Sequence, residues 1–271
     1  MSCVSALTIA GSDSGGGAGI QADLLTFAAH GVFGTTAISS LTAQNPAGVS
    51  AVHACPADFV REQAEQVAKF FRPRAAKTGM LFNAEIICAT ADFFAAHREI
   101  PFVLDPVMIS TSGTRLLRDD AVFALRERLI PLATLITPNL DEAEVLLGEK
   151  FSWREDVSAD EATEIRSAAL ALAGKLGVAV LLKGGHGNGS EIFDVLARPN
   201  GDCETFVSVR VCGVNTHGSG CTLSAAIAAN LAILESVDAL GKCVSAARDY
   251  LLRGMKSPLG IAGENFIAHL R

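Results

Sequence analysis

The 271-residue chain predicts an α/β fold with a mostly parallel central sheet. Short apolar runs of buried-strand character alternate with longer segments of helical period, and the runs tend to end in Gly, Pro, Asn or Asp, as repeated βαβ units do. After residue 190 the rhythm breaks. Residues 192–196 and 205–211 flank Arg198-Pro199-Asn200-Gly201, which reads as an antiparallel hairpin at the sheet edge.

Taken in order, residues 4–10 read as the first strand, 11–19 as a glycine loop, 20–30 as a helix closed by Gly31, and 35–40 as the next strand. The first helix is therefore a crossover. After Pro56, residues Phe59, Val60, Gln63, Val67 and Phe70 recur at helical spacing, and residues 75–78 follow as a strand. Asn83 can cap a helix through about residue 97, before a strand at 102–104. Asp119 opens an amphipathic helix to Ile130, residues 134–137 are strand-like, and residues 139–147 are helical with Gly148 as the stop. Ser158 and Glu161 have capping-box spacing for a helix to about Lys175, and residues 178–182 form the strand after it. Beyond the hairpin come a helix from Ser219, another from Ser236 to about Arg253, and a short final helix ending at 267–270. With no repeat or linker, one domain over 1–271 is the economical expectation. Residues 151–161 form a surface connection, and 11–19 and 110–118 are candidate mobile loops.

Nearly half the residues are hydrophobic and the formal charge is −7, so the composition is that of a globular enzyme-like chain. No basic stripe exists to neutralise a nucleic-acid backbone or an anionic membrane. The seven cysteines are odd in number, scattered and without a Cys-x-x-Cys pair, so neither a disulfide framework nor a zinc ribbon is expected. Reduced thiols and the lack of a basic leader or a membrane-length apolar run point to the cytoplasm. Small apolar surface helices would permit a homodimer.

The most informative segment is Asn215-Thr216-His217-Gly218-Ser219-Gly220-Cys221-Thr222, which runs into the alanine-rich stretch 223–229. A glycine turn opening a helix leaves backbone N–H groups and the positive dipole end free for an anion, and Gly218 and Gly220 allow close approach. The same field is expected to favour thiolate at Cys221. The plain alternative is a small cysteine on the buried face of a core helix.

Ligands of a parallel sheet gather at the carboxyl ends of its strands. There the sequence places Gly11-Ser12-Asp13, Thr42-Ala43-Gln44-Asn45, Lys77-Thr78-Gly79-Met80, Asp105-Pro106, Thr137-Pro138-Asn139 and Lys183-Gly184-Gly185-His186, all expected to face one crevice. The glycine loop matches neither standard nucleotide fingerprint and serves equally as a tight turn. Asp23 lies one turn into the following helix, where it could accept from a ligand N–H or O–H or simply face solvent. Gln44 carries donor and acceptor on one amide, suited to an aminopyrimidine edge. Met80 offers a polarizable surface for a flat ring, or fills a core gap. Asp105, Asn139 and Glu142 supply hard oxygens suited to Mg²⁺ and nucleotide phosphates, while helix cap, first-turn acid and pre-proline turn are their structural alternatives. Lys183 is a cation placed for phosphate oxygens.

Together the motifs 11–23, 42–45, 77–81, 103–108, 137–139, 183–186 and 217–222 closely resemble, in order and over nearly the whole chain, the hydroxymethylpyrimidine/phosphomethylpyrimidine kinases of thiamine biosynthesis, a ribokinase-like family. The resemblance implies a three-layer α/β/α sandwich, MgATP, and two successive phosphorylations of 4-amino-5-hydroxymethyl-2-methylpyrimidine. By position it implies that Gln44 binds the pyrimidine with Gly11, Asp23 and Met80, and that Cys221 stands where most ribokinase-like sugar kinases have an aspartate base. Gly218, Ser219 and Gly220 become the anion hole, Lys183 a contact to ATP phosphates, and Asp105, Asn139 and Glu142 the organisers of Mg²⁺ and its waters. Gly15 and Ser219 stand where the family more often has serine and threonine. Rival readings are a pyridoxal kinase of the same superfamily, a cysteine hydrolase using His217 and Cys221, and a non-catalytic nucleotide-binding module.

Overall fold

The computed structural model describes residues 3–108, 119–150, 161–186 and 189–269. The strands are β1 (Ser5–Asp13), β2 (Phe33–Asn45), β3 (Gly48–Ala54), β4 (Ala75–Thr78), β5 (Phe102–Leu104), β6 (Leu135–Ile136), β7 (Ala179–Lys183), β8 (Glu191–Ala197), β9 (Cys203–Val209), β10 (Leu259–Ile261) and β11 (Glu264–Phe266). The helices are α1 (Gly19–Ala29), α2 (Ala57–Phe71), α3 (Ala84–Ala96), α4 (Asp119–Ala124), α5 (Leu140–Leu147), α6 (Glu161–Leu176), α7 (Ser219–Leu234) and α8 (Leu240–Lys256).

Nine strands form one sheet in the order β3-β2-β1-β4-β5-β6-β7-β8-β9. The six from β2 through β7 are parallel, and the antiparallel pairs β2–β3, β7–β8 and β8–β9 sit at the two edges. From β1 the chain crosses to β2 on one side and later returns to β4 on the other, so the order reverses around β1. A crevice opens beyond the carboxyl ends of strands at such a switch point.

Helices cover both faces, giving the expected three layers. On one, Val60, Ile86, Phe93, Phe94, Phe102, Leu140 and Ile165 join α2 to α6 to the sheet. On the other, Phe27, Leu223, Ile227 and Val244 bring in α1, α7 and α8. Burial on both faces explains why the central strands read as continuous apolar runs. In α7 ten residues are buried, half of them alanine, so its backbone can lie close to the sheet.

Several expected elements shift. β1 and β2 run on to Asp13 and Asn45, so part of the glycine loop and Gln44 itself belong to strands. The hairpin partner β3 is an addition to the expected strands: its residues are mostly exposed on both faces, which erases the alternation that signals a strand. The helix from Asp119 passes at Leu125–Leu129 into a π turn and then a 3-10 turn containing Pro131, which cannot continue α-helical bonding. The expected final helix is instead the hairpin β10–β11, turned at Ala262 and Gly263, both with positive φ, and residues 267–269 follow it without helical structure. Ser158 and the candidate loop 110–118 lie outside the described residues.

Two expectations for stability follow. The Asn83 side chain accepts from the Ile86 amide at 2.9 Å, so Asn83→Ala should cost about 1 kcal/mol in chemical denaturation without altering ligand affinity. Phe94 stacks on Phe102 at 3.8 Å between ring centroids inside the core, so Phe94→Ala should cost about 3–5 kcal/mol in the same measurement.

Candidate active site

The turn after β1 is folded around one carboxylate. Asp13 accepts from the amides of Gly15 and Ala18, each at 2.8 Å, and from Nε2 of His217 at 2.9 Å. Burial pushes the Asp13 carboxyl up, but His217 and the two amides outweigh it and hold the group below its usual range. The same ring nitrogen of His217 lies 3.4 Å from the Gln44 side-chain amide, whose oxygen accepts from Thr42 at 3.1 Å. Asp13, Gln44 and His217, at the ends of β1 and β2 and just before α7, are thereby one cluster. Beside them, a Cβ on Gly11 would fall 2.8 Å from the methyl of Met80, so Met80 can lie over the strand only because residue 11 has no side chain.

The start of α7 is built to leave donors free. Gly218 has a φ of +82°, and a side chain there would overlap the Gly17 carbonyl. The Ser219 amide donates to Thr216 O, and the first intrahelical bond is from the Thr222 amide to Gly218 O. The amides of Gly220 and Cys221 are thus the ones left to point out of the helix start. A Cβ on Gly220 would lie 3.4 Å from Lys183 Nζ and 3.6 Å from Asp105 Oδ2, which places that ion pair against the same turn.

Lys183 Nζ donates to Asp105 Oδ1 at 3.1 Å, and Thr137 and Ser224 add hydroxyl bonds to Asp105 at 3.3 and 3.2 Å. Burial raises the Asp105 carboxyl, yet Lys183 and Lys77 pull it lower in net. Burial likewise penalises the Lys183 ammonium, but Asp105 and Glu142 raise it overall. Below, Lys77 donates to both oxygens of Asp23 at 2.9 and 3.0 Å, and Thr8 donates to Asp23 at 2.6 Å. This pair is completely shielded from water. Burial alone would push Lys77 down, but Asp23, Cys221 and Asp105 overcome it and hold the lysine charged. Asp23 therefore does not stand as an open acceptor at the crevice; its oxygens are engaged by Lys77 and Thr8.

Cys221 departs from the expected thiolate. Burial pushes its thiol up to about 11, with Asp23 and Asp105 adding to the rise, and Lys77 and the Gly19 amide recover only part of it. The desolvation of the first turn outweighs the helix field. The Nε2 of His217 is engaged with Asp13 and is not turned to this thiol.

Asn139 and Glu142 form a complete capping box at the start of α5: Asn139 accepts from the Glu142 amide at 2.9 Å and Glu142 accepts from the Asn139 amide at 2.8 Å. The other Glu142 oxygen accepts from the Met108 amide at 3.3 Å. Burial lifts the Glu142 carboxyl to about 7, with Asp105 adding and Lys183 opposing. Among the described residues no group of three or more His, Cys, Asp and Glu is arranged to hold a metal.

Three contributors have no assigned role in the kinase reading of the sequence: Lys77 and Asp13 figure there only among the strand-end residues, and His217 only as the partner of Cys221 in the hydrolase alternative. A lysine inside an apolar strand run, as at Lys77, is itself a signal, since a buried ammonium requires a partner. Asp13 and His217 lie 204 positions apart, and no spacing joins them.

The profile of the family described as phosphomethylpyrimidine kinase matches residues 13–268. The hydroxymethylpyrimidine/phosphomethylpyrimidine kinase of Haemophilus influenzae is 45% identical over 258 residues, covering 94% of this chain and 92% of that protein. A crystal structure of phosphomethylpyrimidine kinase from Clostridium difficile superposes with a TM-score of 0.77 at 37% identity, covering 92% of this chain and 98% of the other. The ADP complex of Bacillus subtilis pyridoxal kinase superposes with a TM-score of 0.85 at 34% identity, covering 99% and 98%. Among the described residues no helix is long and apolar enough to cross a membrane. With a Gln44–His217 cluster, two ion pairs and an anion-ready helix start at the strand ends, and a match from residue 13 to 268, this protein is a member of the phosphomethylpyrimidine kinase family.

Proposed function

We propose that the chain transfers the terminal phosphoryl group of ATP to the hydroxymethyl oxygen of 4-amino-5-hydroxymethyl-2-methylpyrimidine, and then to the phosphate of that product, yielding the diphosphate used in thiamine biosynthesis. The observation that carries this reading is the contact of Gln44 with His217, four residues before Cys221, which brings the amide suited to an aminopyrimidine beside the anion-ready start of α7.

Gln44 reads the ring edge, Met80 packs on its face, and Gly11 leaves room for both. Asp23 acts from below, by fixing Lys77 under Cys221. The turn Gly218-Ser219-Gly220 presents the free amides of Gly220 and Cys221 to cradle the group in transit, and Lys183 contacts the nucleotide phosphates. Phosphoryl transfer needs mainly alignment and charge stabilisation, which a dry ion-pair cluster and fixed amides provide without reorganising. The oxygens of Asp105, Asn139 and Glu142 fit a hydrated Mg²⁺: the donors are hard, and the two carboxylates repel each other. Because the Glu142 oxygens already accept from the Asn139 and Met108 amides, they would hold such an ion through its waters. Bound there, Mg²⁺ would neutralise nucleotide phosphate charge. The chain works as a soluble cytoplasmic enzyme of one domain, with a homodimer as the assembly to test.

A product assay tests the main reading. With the pyrimidine alcohol and MgATP, mass spectrometry should record the monophosphate first and then the diphosphate, with ADP released. The similarity to pyridoxal kinases calls for pyridoxal as a parallel substrate. Turnover of pyridoxal alone would overturn the proposal.

Cys221 generates a second expectation. Only its thiolate can take the proton of an alcohol, and with the thiol held at about 11 that form occupies about one site in 10⁴ at pH 7. The fraction grows roughly tenfold per pH unit below that value. The rate of the first phosphorylation should therefore climb with pH, while the second, whose attacking phosphate is already anionic, stays flat. Cys221→Ala should remove the slope and slow the first step by roughly 10²- to 10⁴-fold with far less effect on the second. Equal slowing of both steps, or a pH-independent first step in the parent enzyme, contradicts this role.

A further inference from the structure

We propose that residues 259–269 act as a strap holding the anion-binding start of α7, with His269 as a positioning residue for phosphoryl transfer. The proposal rests on the functional reading above, in which Gly218, Ser219 and Gly220 cradle the transferring group.

The strap holds the site at two places. The hairpin β10–β11 grips the loop before α7: the Asn215 amide donates to Asn265 O at 2.8 Å, Asn215 Nδ2 to Glu264 Oε2 at 2.9 Å, and Asn265 Nδ2 to Gly213 O at 3.1 Å. Asn215 in turn accepts from the His217 amide at 3.0 Å, so the hairpin reaches the residue that joins Asp13 to Gln44. Beyond the hairpin the chain lies along α8. The Ala268 amide donates to Gly254 O at 3.1 Å, and Tyr250 Oη donates to His269 O at 2.6 Å. A Cβ on Gly254 would fall 2.6 Å from Ala268 O, so glycine is what permits this docking.

The docked chain delivers His269, itself buried, to Thr222, the neighbour of Cys221, with Nε2 lying 3.0 Å from Thr222 Oγ1. The Thr222 hydroxyl has one proton and gives it to Gly218 O at 2.9 Å, where the Thr222 amide also donates at 2.8 Å. What remains on that hydroxyl is a lone pair, so His269 donates through Nε2–H. Burial lowers the tendency of the ring to take a second proton, in keeping with this neutral form. Thr222 is completely shielded from water, so His269 is the group that satisfies its oxygen. The Gly218 carbonyl, and with it the peptide plane entering the anion cradle, is thereby set by a relay from His269.

The test uses the full chain and four variants: His269→Ala, His269→Gln, Thr222→Ser and Thr222→Val. Steady-state kinetics give kcat and both KM values, and hydrogen–deuterium exchange reports on amides 218–222 without requiring turnover. His269→Ala should lower kcat by roughly 10- to 100-fold with both KM values little changed, and should speed exchange across 218–222. His269→Gln, whose amide N–H can reach the same oxygen, and Thr222→Ser, which keeps the hydroxyl, should recover most of both. Unchanged exchange in His269→Ala, or a fall in kcat that His269→Gln does not relieve, overturns the proposal. If His269→Ala does not fold, Thr222→Val removes the relay from its other end, and unchanged exchange there overturns it equally. Faster exchange in a chain whose parent shows no phosphoryl transfer would sustain the strap and reject the kinase reading.

Discussion

Two carboxylates and two ammonium groups withdrawn from water underlie the rest of this site. Asp23 holds Lys77 at the floor, and Asp105 holds Lys183 beside Gly220. Each charge is tolerable only because its partner is in place; taking one member of such a pair away costs about 3–5 kcal/mol, since the other is left uncompensated. The sheet supplies that precision. Lys77, Asp105 and Lys183 leave β4, β5 and β7 at or just beyond their carboxyl ends, Asp23 comes from α1, and all meet under the first turn of α7. A loop-built site could not hold four buried charges in register so economically.

The same cluster governs the chemistry of the thiol it surrounds. A cysteine at a helix start is ordinarily pushed toward thiolate. Here Cys221 is half-buried at the surface of the turn but ringed by protein, so desolvation dominates, and the carboxylates below add to it. The thiol stays protonated, which leaves the fixed amides, Lys183 and Lys77 as the resident positive field. Such an arrangement suits transfer of a highly charged phosphoryl group, where most of the stabilisation must be present before the substrate arrives.

Much of the architecture is legible in the sequence because the strands are buried on both faces and the helices on one. The runs 75–78 and 102–104 coincide with β4 and β5, and Asn83 and Gly148 mark the helix boundaries they were expected to mark. Where that asymmetry fails, so does the reading. β3 is exposed on both faces, and β10 and β11 form only a three-residue ladder, so neither hairpin carries a hydrophobic period. The site is legible to a similar degree. Gly218, Gly220 and Cys221 stand at a helix start, Lys183 ends a strand and Gln44 is the next-to-last residue of one, while Asn139 and Glu142 act as the cap and first-turn acid that are their structural alternatives.

The sequence alone determines the order of the buried central strands and the helices between them, and the residue types delivered to the carboxyl ends of those strands, since these follow from local period, capping and glycine. Only the folded chain decides which of those residues touch. Asp13 meets His217 across 204 positions, Lys183 meets Asp105 across 78, and His269 reaches Thr222 across 47. The charge state of Cys221 belongs to the same class, because it depends on how deeply the surrounding elements bury it and on carboxylates brought in from distant segments. Local propensity acts over a few residues, whereas desolvation and Coulomb interactions depend on distance in space, and that distance exists only once the sheet has closed its layers.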